Sequence, residues 1–399
     1  MARHLWIAAV LALGLAGSAV AQDLPKPEGA IRIATFNAAL SRQGAGVLID
    51  HIAKRDRQVR SVAEIVLRVR PDILLINEID RDPDGLALDG FRALLAQGVR
   101  RLPGLDYLHA HLPQTNTGVP SGLDLDGDGR VAGPEDAWGF GRFPGQYGMA
   151  ILSRFPFAGP MRSYRLFRWA DLPGADRPTM SDGTPFHPDP VWEALRLSSK
   201  THLIAPLQMP DGRTLSLIAS HPTPPVFDGP EDRNGRRNAD ELRLVVGMID
   251  NAPWLIDDMG KQGGVAEGQS FVVLGDLNAD PADGEARRRG IADLLEHPQV
   301  QDPTPESDGG AEMAESQGGA NRTHRTPAAQ DTADWRDRPG PGNLRVDYML
   351  PSADLLVLGS GVFWPAATDK LSRLIGDGSK PVSSDHRLVW VDIALNETD

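Results

Sequence analysis

The chain has 399 residues, room for one large domain or two ordinary ones, and its 41% hydrophobic and 24% charged residues are the balance of a soluble globular protein. It contains no cysteine, which excludes disulfides, thiolate metal sites and a cysteine nucleophile. The net charge of −13 argues against non-specific nucleic-acid binding by charge alone, although a local metal site could still hold one phosphate.

Arg3 and His4 precede an apolar run, Leu5 to Leu15, and Ala19-Val20-Ala21 supplies the small residues of a cleavage site. Residues 1–21 are therefore predicted to be a secretory signal peptide, too short to span a bilayer, and the protein to be secreted or periplasmic. No transmembrane segment is expected after its removal. Residues 22–30, with Pro25, Pro27 and Gly29, read as a linker. Next, IRIATFNAAL is a β-branched run ending near Asn37. Val59, Val62, Ile65, Val66 and Val69 have helical spacing, and Pro71 closes that helix. ILLINEID then reads as a second buried strand, and strand–helix–strand at this spacing predicts an α/β architecture.

Further strands are predicted at Tyr147–Arg154, Ser216–Pro222, Phe271–Asn278, Arg345–Ser352 and Leu388–Leu395. A helix is predicted from about Ala239 to Ile249, with Asn238 as N-cap and Glu241 three residues on. Residues 158–195, and 301–343 with few aliphatics, read as long loop excursions. There is no internal repeat.

Polar residues recur at the strand ends: Asn37, Glu78, His221, Asp276, Asn278, Asp347, Asp385 and His386. Singly each is a turn former or a structural residue. Together they fit one crevice, because strand ends of an open α/β sheet converge on a rim. Carboxylates gathered there repel one another unless a cation lies among them.

The segments ATFNAAL, LLINEID, YGMAILSR, ASHPTPP, GDLNADP, RVDYMLPS and SSDHRLVWVDI, in this order from residue 31 to 395, resemble the endonuclease/exonuclease/phosphatase superfamily. His221 in ASHPTPP is similar to the deoxyribonuclease and sphingomyelinase branches, not to the abasic-site branch with its tyrosine. The resemblance implies a single-domain four-layer α/β/β/α sandwich over 31–399 with two central β-sheets, and a metal-dependent phosphoesterase. It implies Glu78 as main ligand of Mg²⁺ or Mn²⁺ with Asn37 beside it, and Asp385 on the metal or phosphate side. It implies Asp276 to orient the attacking water, Asn278 to hold a phosphate oxygen, His386 with its partner Asp347 at the phosphate, and His221 as acid toward the leaving oxygen. Ala39 stands where some branches carry a second acidic ligand.

Asp124 to Glu135 is a separate metal signal, set in an insertion of about 113–146. Asp124, Asp126 and Asp128 occupy positions 1, 3 and 5 of an EF-hand-like loop, Gly129 the sharp-turn position, Arg130 the carbonyl position and Glu135 the twelfth. Ca²⁺ is the expected ligand; an acidic turn is the plainer reading. Arg233, Arg236 and Arg237 form a candidate clamp for an anionic substrate. Trp169, Phe186 and Trp192 read as a satellite core, with stacking on a base or sugar the functional alternative. The expected substrate is a phosphorylated molecule with nucleic acid among the candidates, and no protein partner is implied. A phosphate-scavenging extracellular nuclease is the rival enzyme reading. A catalytically inactive calcium-dependent binding protein is the reading from another class.

Overall fold

The computed structural model describes residues 24–394, so the expected signal peptide lies outside the described residues. In chain order the elements are β1 (Ile31–Leu40), α1 (Val47–Ala53), α2 (Arg57–Val69), β2 (Ile73–Ile79), α3 (Leu86–Gln97), β3 (His109–His111), β4 (Gly148–Ser153), β5 (Arg162–Ser163), α4 (Asp189–Ala194), β6 (His202–Gln208), β7 (Thr214–Ser220), α5 (Arg233–Ile249), β8 (Phe271–Asp276), α6 (Arg288–Leu295), α7 (Asp308–Gln317), β9 (Asp347–Pro351), β10 (Leu356–Val362) and β11 (Val389–Ala394). Two sheets form, β10-β11-β1-β2-β4-β3 and β5-β6-β7-β8-β9. No helix among the described residues is long and apolar enough to cross a membrane.

Side-chain alternation explains the layers. In the second sheet Leu203, Ala205, Leu217, Ala219, Val272, Leu274 and Met349 face the first sheet and share its core. Their neighbours Ile204, Ile218, Val273, Tyr348 and Leu350 face outward, against Leu242, Val245 and Met248 of α5 and Ile291 and Leu294 of α6. One residue of slip would exchange these two sets, so the cores fix the register. On the far side of the first sheet, α1, α2 and α3 supply Leu48, Val62, Val66, Phe91 and Leu95 to the same core. The result is the expected four-layer α/β/β/α sandwich. β1 and β2 run parallel with α2 between them, as the strand–helix–strand pattern requires.

Four expectations need correction. Residues 24–30 are no free linker: the Arg32 guanidinium donates to the carbonyls of Leu24 (3.1 Å) and Pro25 (2.7 Å), and Lys26 pairs with Asp72 at 2.6 Å. α5 starts at Arg233, six residues before the expected start, because its first turns are polar and face loops, leaving no apolar period to read. Asn238 is therefore inside the helix; its amide donates to the carbonyls of Thr223 (2.9 Å) and Leu277 (3.0 Å). Residues 301–343 are not a plain loop but hold α7 and two short 3₁₀ turns, packed partly on Trp364. The aromatic excursion is not a separate satellite core: Trp169, with Trp192 at 5.2 Å, packs into the outer core with α5 and α6 and donates to Asp240 at 2.7 Å, while Phe186 stays outside it, edge-on to His187.

His202, at the start of β6, carries a pH consequence. Burial, opposed by Glu241, pulls its imidazole down to about 4. Its Nδ1 meets the Ser198 hydroxyl at 2.7 Å, and its Nε2 has no partner. The folded protein thus binds fewer protons here than the unfolded chain between pH 6.5 and 4. The stability of the neutral form is complete above 6.5 and is lost as pH falls toward 4, by about 3 kcal/mol. We expect His202→Gln to flatten this part of the pH–stability curve. An unfolding free energy equally pH-dependent in both proteins would show that His202 is not responsible.

Candidate active site

Backbone geometry first places the polar residues. The pairing of β1 with β2 shifts between Asn37 and Leu40, and that of β2 with β4 shifts between Asn77 and Ile79. Glu78 sits in the second irregularity with φ +60°, a left-handed conformation that turns its side chain out of the strand's alternation. On β8, Gly275 precedes Asp276 at φ +147°; a Cβ there would lie 2.0 Å from the Ser220 carbonyl. Only glycine lets β7 and β8 approach at the end that carries His221 and Asp276.

Asp276 is the hub. Its Oδ2 accepts from Asn37 Nδ2 at 2.9 Å and lies 3.3 Å from His221 Nε2 and 3.7 Å from His386 Nε2. Its Oδ1 accepts from the Asn278 backbone amide at 3.0 Å. Burial opposes ionisation, but His386, His221 and the hydrogen bond from Asn37 outweigh it and hold the Asp276 carboxyl below the ordinary carboxylate range. His386 Nδ1 meets Asp347 Oδ2 at 2.9 Å, leaving Nε2 on the cavity side. Against its burial, Asp347 and Asp276 raise the His386 imidazole well above its usual value. His221 differs: burial and then Lys200 lower it despite Asp276, so the site favours neutral imidazole there.

Two anchors hold this relay. The Thr332 hydroxyl accepts from the backbone amides of Val346 and Asp347, and Ser384 Oγ donates to the Asn37 carbonyl at 2.7 Å. A cavity of about 900 Å³ opens over the relay and is lined by Glu78, His221, Asp276, Asn278, Asp385 and His386, among others. The structure thus gathers all the predicted strand-end residues, with two qualifications. Asn37 stands behind Asp276 and is not part of the cavity wall. Asp347 lies behind His386.

Two ligand sets can be compared. Asp276, Asp347 and His386 place ligand atoms within 4.8 Å of one another, but they are already joined by hydrogen bonds and by charge. The Glu78 carboxylate lines the cavity and accepts a single hydrogen bond among the described residues, from the Ser41 hydroxyl at 3.4 Å, and Asp385 uses one oxygen to accept from Trp335 at 3.2 Å. Carboxylate oxygens with spare lone pairs fit a hard divalent cation, so Glu78 and Asp385 are the residues that could hold one, while Asn37, expected beside Glu78, has its side-chain oxygen engaged by the Ala39 amide.

The arginine clamp is largely taken up elsewhere. Arg237 is spent on the carbonyls of Leu197, Trp138 and Arg196, Arg236 on Asp176 and the Glu231 carbonyl. Arg233 pairs with Glu231, yet it still borders the cavity and stands over the Phe186 ring. Residues outside the motifs also contribute. Asn77 Oδ1 accepts from Thr35 and from the Asp276 amide, bridging the sheets, and Lys200 lies buried in the cavity wall. The asparagine falls inside the LLINEID segment; Lys200 has no motif to mark it.

In the insertion, Asp124, Asp126 and Asp128 also place carboxylate oxygens within 4.8 Å of one another. No helix flanks the loop on either side among the described residues; β3 ends well before it and β4 starts after it. Asp136 clamps the loop instead, accepting from the amides of Leu125 and Ala132, and Leu125 buries in the outer core. Asp126 and Glu135 reach the wall of the same cavity.

The protein is thus a two-sheet sandwich with an Asp–His pair and a carboxylate-lined crevice at one rim. The sequence profile of the Endonuclease/Exonuclease/phosphatase family matches residues 34–386, and the chain belongs to this family of phosphoester hydrolases. No curated protein matches the chain in sequence. Among solved structures it is similar in fold to an endonuclease/exonuclease/phosphatase from Beutenbergia cavernae, with 19% identity over 92% of this chain and 72% of that one and a TM-score of 0.50. An endonuclease/exonuclease/phosphatase family protein from Leptotrichia buccalis (12% identity, 92% and 100% covered, TM-score 0.46) and the human Nocturnin catalytic domain with bound sulfate (13%, 92% and 93%, 0.43) also match.

Proposed function

We propose that the protein is an exported, divalent-metal-dependent phosphoesterase that hydrolyses a compact phosphoester by direct attack of water. The observation that carries this reading is the hub at Asp276, with two imidazoles and an asparagine amide converging on one buried carboxylate beside an oxygen-lined crevice. A cation held by Glu78 and Asp385, Mg²⁺ or Mn²⁺, would neutralise charge that builds on the phosphate. Asp276 orients the water and takes its proton as the new P–O bond forms. The bond to the leaving oxygen breaks, and that oxygen takes a proton from an imidazole. Support from Asp347 fits His386 to that donation, and His221 then serves to position Asp276. Asn278, held by its own φ of +53° and a bond to the Pro222 carbonyl, presents its amide to a non-bridging oxygen.

Charge favours a compact substrate over a nucleic-acid strand. Asp126, Glu135, Asp280, Asp283 and Glu285 line the cavity beyond the relay, and they would repel a run of phosphates. Export rests on the leader-like N-terminal sequence alone. The test is hydrolysis of bis-p-nitrophenyl phosphate, p-nitrophenyl phosphate, plasmid DNA and sphingomyelin with Mg²⁺ and with EDTA. We expect EDTA-sensitive turnover of a small ester exceeding that of DNA. Full activity in EDTA would overturn the metal reading, and DNA as best substrate would favour the nuclease.

The Asp124–Glu135 loop is proposed to bind Ca²⁺. Ligand binding to the native state stabilises it by RT ln(1 + [L]/Kd), about 2.7 kcal/mol at a hundredfold excess over Kd. In a protein of this size that is a rise in Tm of roughly 3–4 °C. Asp124→Ala with Asp126→Ala should abolish the rise. Equal responses of both proteins to Ca²⁺ would leave the segment an acidic turn.

A further inference from the structure

Behind His221 the cavity wall contains a group of polar atoms that the relay does not use. Lys200 is 7% exposed, yet its Nζ has a single hydrogen bond, to the Pro222 carbonyl at 3.2 Å, and no ion pair among the described residues. An ammonium has three donors; Glu241, Asp276 and Glu78 act on this one through space from beyond ion-pair distance, and burial still lowers its pKa. The neighbouring residues Ser199 and Thr223 are buried at 4% and 7% exposure, and the hydroxyl of neither has a hydrogen-bond partner among the described residues. All three residues line the cavity.

These atoms are held in place from behind. Glu241, inside α5, accepts from the Ser199 amide at 2.8 Å and from the Thr223 amide at 2.6 Å, so one carboxylate fastens both segments. With both its oxygens so engaged, it forms no ion pair with Lys200. The Pro222 carbonyl accepts from Lys200 Nζ and also from Asn278 Nδ2 at 3.1 Å, which sets the ammonium beside the amide that faces the phosphate. Close packing leaves this strand entry little freedom: a Cβ on Gly139 would lie 1.8 Å from the Ser199 carbonyl.

We propose that Lys200, with the hydroxyls of Ser199 and Thr223, forms an anion subsite that contacts the oxygens of the reacting phosphate next to Asn278. The inference rests on the phosphoesterase reading for its substrate, but not for the binding itself. In a cavity otherwise rich in carboxylates, it supplies a positive charge with no ion pair among the described residues, and so selects where in the cavity the phosphate sits. The two hydroxyls add neutral donors without adding charge to desolvate.

The experiment separates this role from a structural one. Phosphate binding is read in EDTA, without turnover, as the rise in Tm with inorganic phosphate, and separately as competitive inhibition of bis-p-nitrophenyl phosphate hydrolysis with Mg²⁺. Lys200→Met keeps the length and removes the buried charge. We expect its Tm without phosphate to equal or exceed that of the native protein, its phosphate-induced rise to vanish, its inhibition constant for phosphate to increase at least tenfold, and kcat/KM to fall ten- to a hundredfold. Lys200→Arg should regain part of the phosphate response, and Thr223→Val should lose less than Lys200→Met. A Lys200→Met protein that melts lower but binds phosphate normally would make Lys200 a structural residue and overturn the proposal. A native protein that binds phosphate through Lys200 yet hydrolyses no phosphoester would keep the subsite and refute the hydrolase reading instead.

Discussion

Glu78→Gln should lower kcat/KM by about three orders of magnitude, close to 4 kcal/mol of transition-state stabilisation. The substitution keeps the side-chain shape and the one hydrogen bond to Ser41, and removes only the charge that a cation needs. The fold should not suffer. Asp80, two residues away, is pushed up to about 7 by burial and, among smaller effects, by the Glu78 charge. Removing a like charge relieves that repulsion, so the mutant's Tm without metal should equal or exceed the native one. Titrating activity and Tm with Mg²⁺ gives both readings. A mutant with native rate and native metal dependence would remove Glu78 from the metal site.

Asp347→Asn should act through His386 and not through substrate affinity. The Asp347 carboxylate holds Nδ1 at 2.9 Å and favours imidazolium, so its loss frees the ring and lowers the imidazole's pKa. We expect kcat to drop by about 10²- to 10⁴-fold, the range of lost acid–base catalysis, with KM changed much less. If protonated His386 is the active form, activity is lost as pH rises through its pKa, and the alkaline limb of the kcat profile should move to lower pH in the mutant. His386→Ala should add little on top of Asp347→Asn, because residues acting as one unit are not additive. A double-mutant cycle in kcat/KM measures this. Fully additive losses would mean that the 2.9 Å contact has no part in turnover.

The distribution of the Asp276 partners ranks the rest of the site. Three side chains converge on one oxygen from β1, from the end of β7 and from the loop before β11. A change at any of them should alter the hub. By contrast, Arg236 holds the Glu231 carbonyl and Asp176, and Arg237, although it borders the cavity, is engaged by three backbone carbonyls. Their loss should appear in stability before it appears in catalysis.

Continuous apolar runs such as those of β2 and β8 made the buried strands legible, because strands covered on both faces need no polar alternation. The polar residues that end these runs marked the rim, since a carboxylate at the end of a buried run has no local apolar purpose. The calcium-type spacing from Asp124 was equally local, and so was readable without a fold. Other features depend on residues far apart in the chain. Lys200 belongs to no motif; only the meeting of the β6 entry with the Pro222 carbonyl shows a buried ammonium without a direct ion pair among the described residues. Asn238 had the pattern of a helix cap, but long-range carbonyls at Thr223 and Leu277 claimed its amide and let the helix begin earlier. The basic run at Arg233 to Arg237 was visible as charge, yet whether each guanidinium meets substrate or a backbone carbonyl is set by what packs against it. Sequence pattern determines which segments must be buried and which side chains end at the rim. Only the tertiary structure decides which buried polar groups find partners, because the desolvation cost that leaves one unsatisfied arises from neighbours brought together by folding.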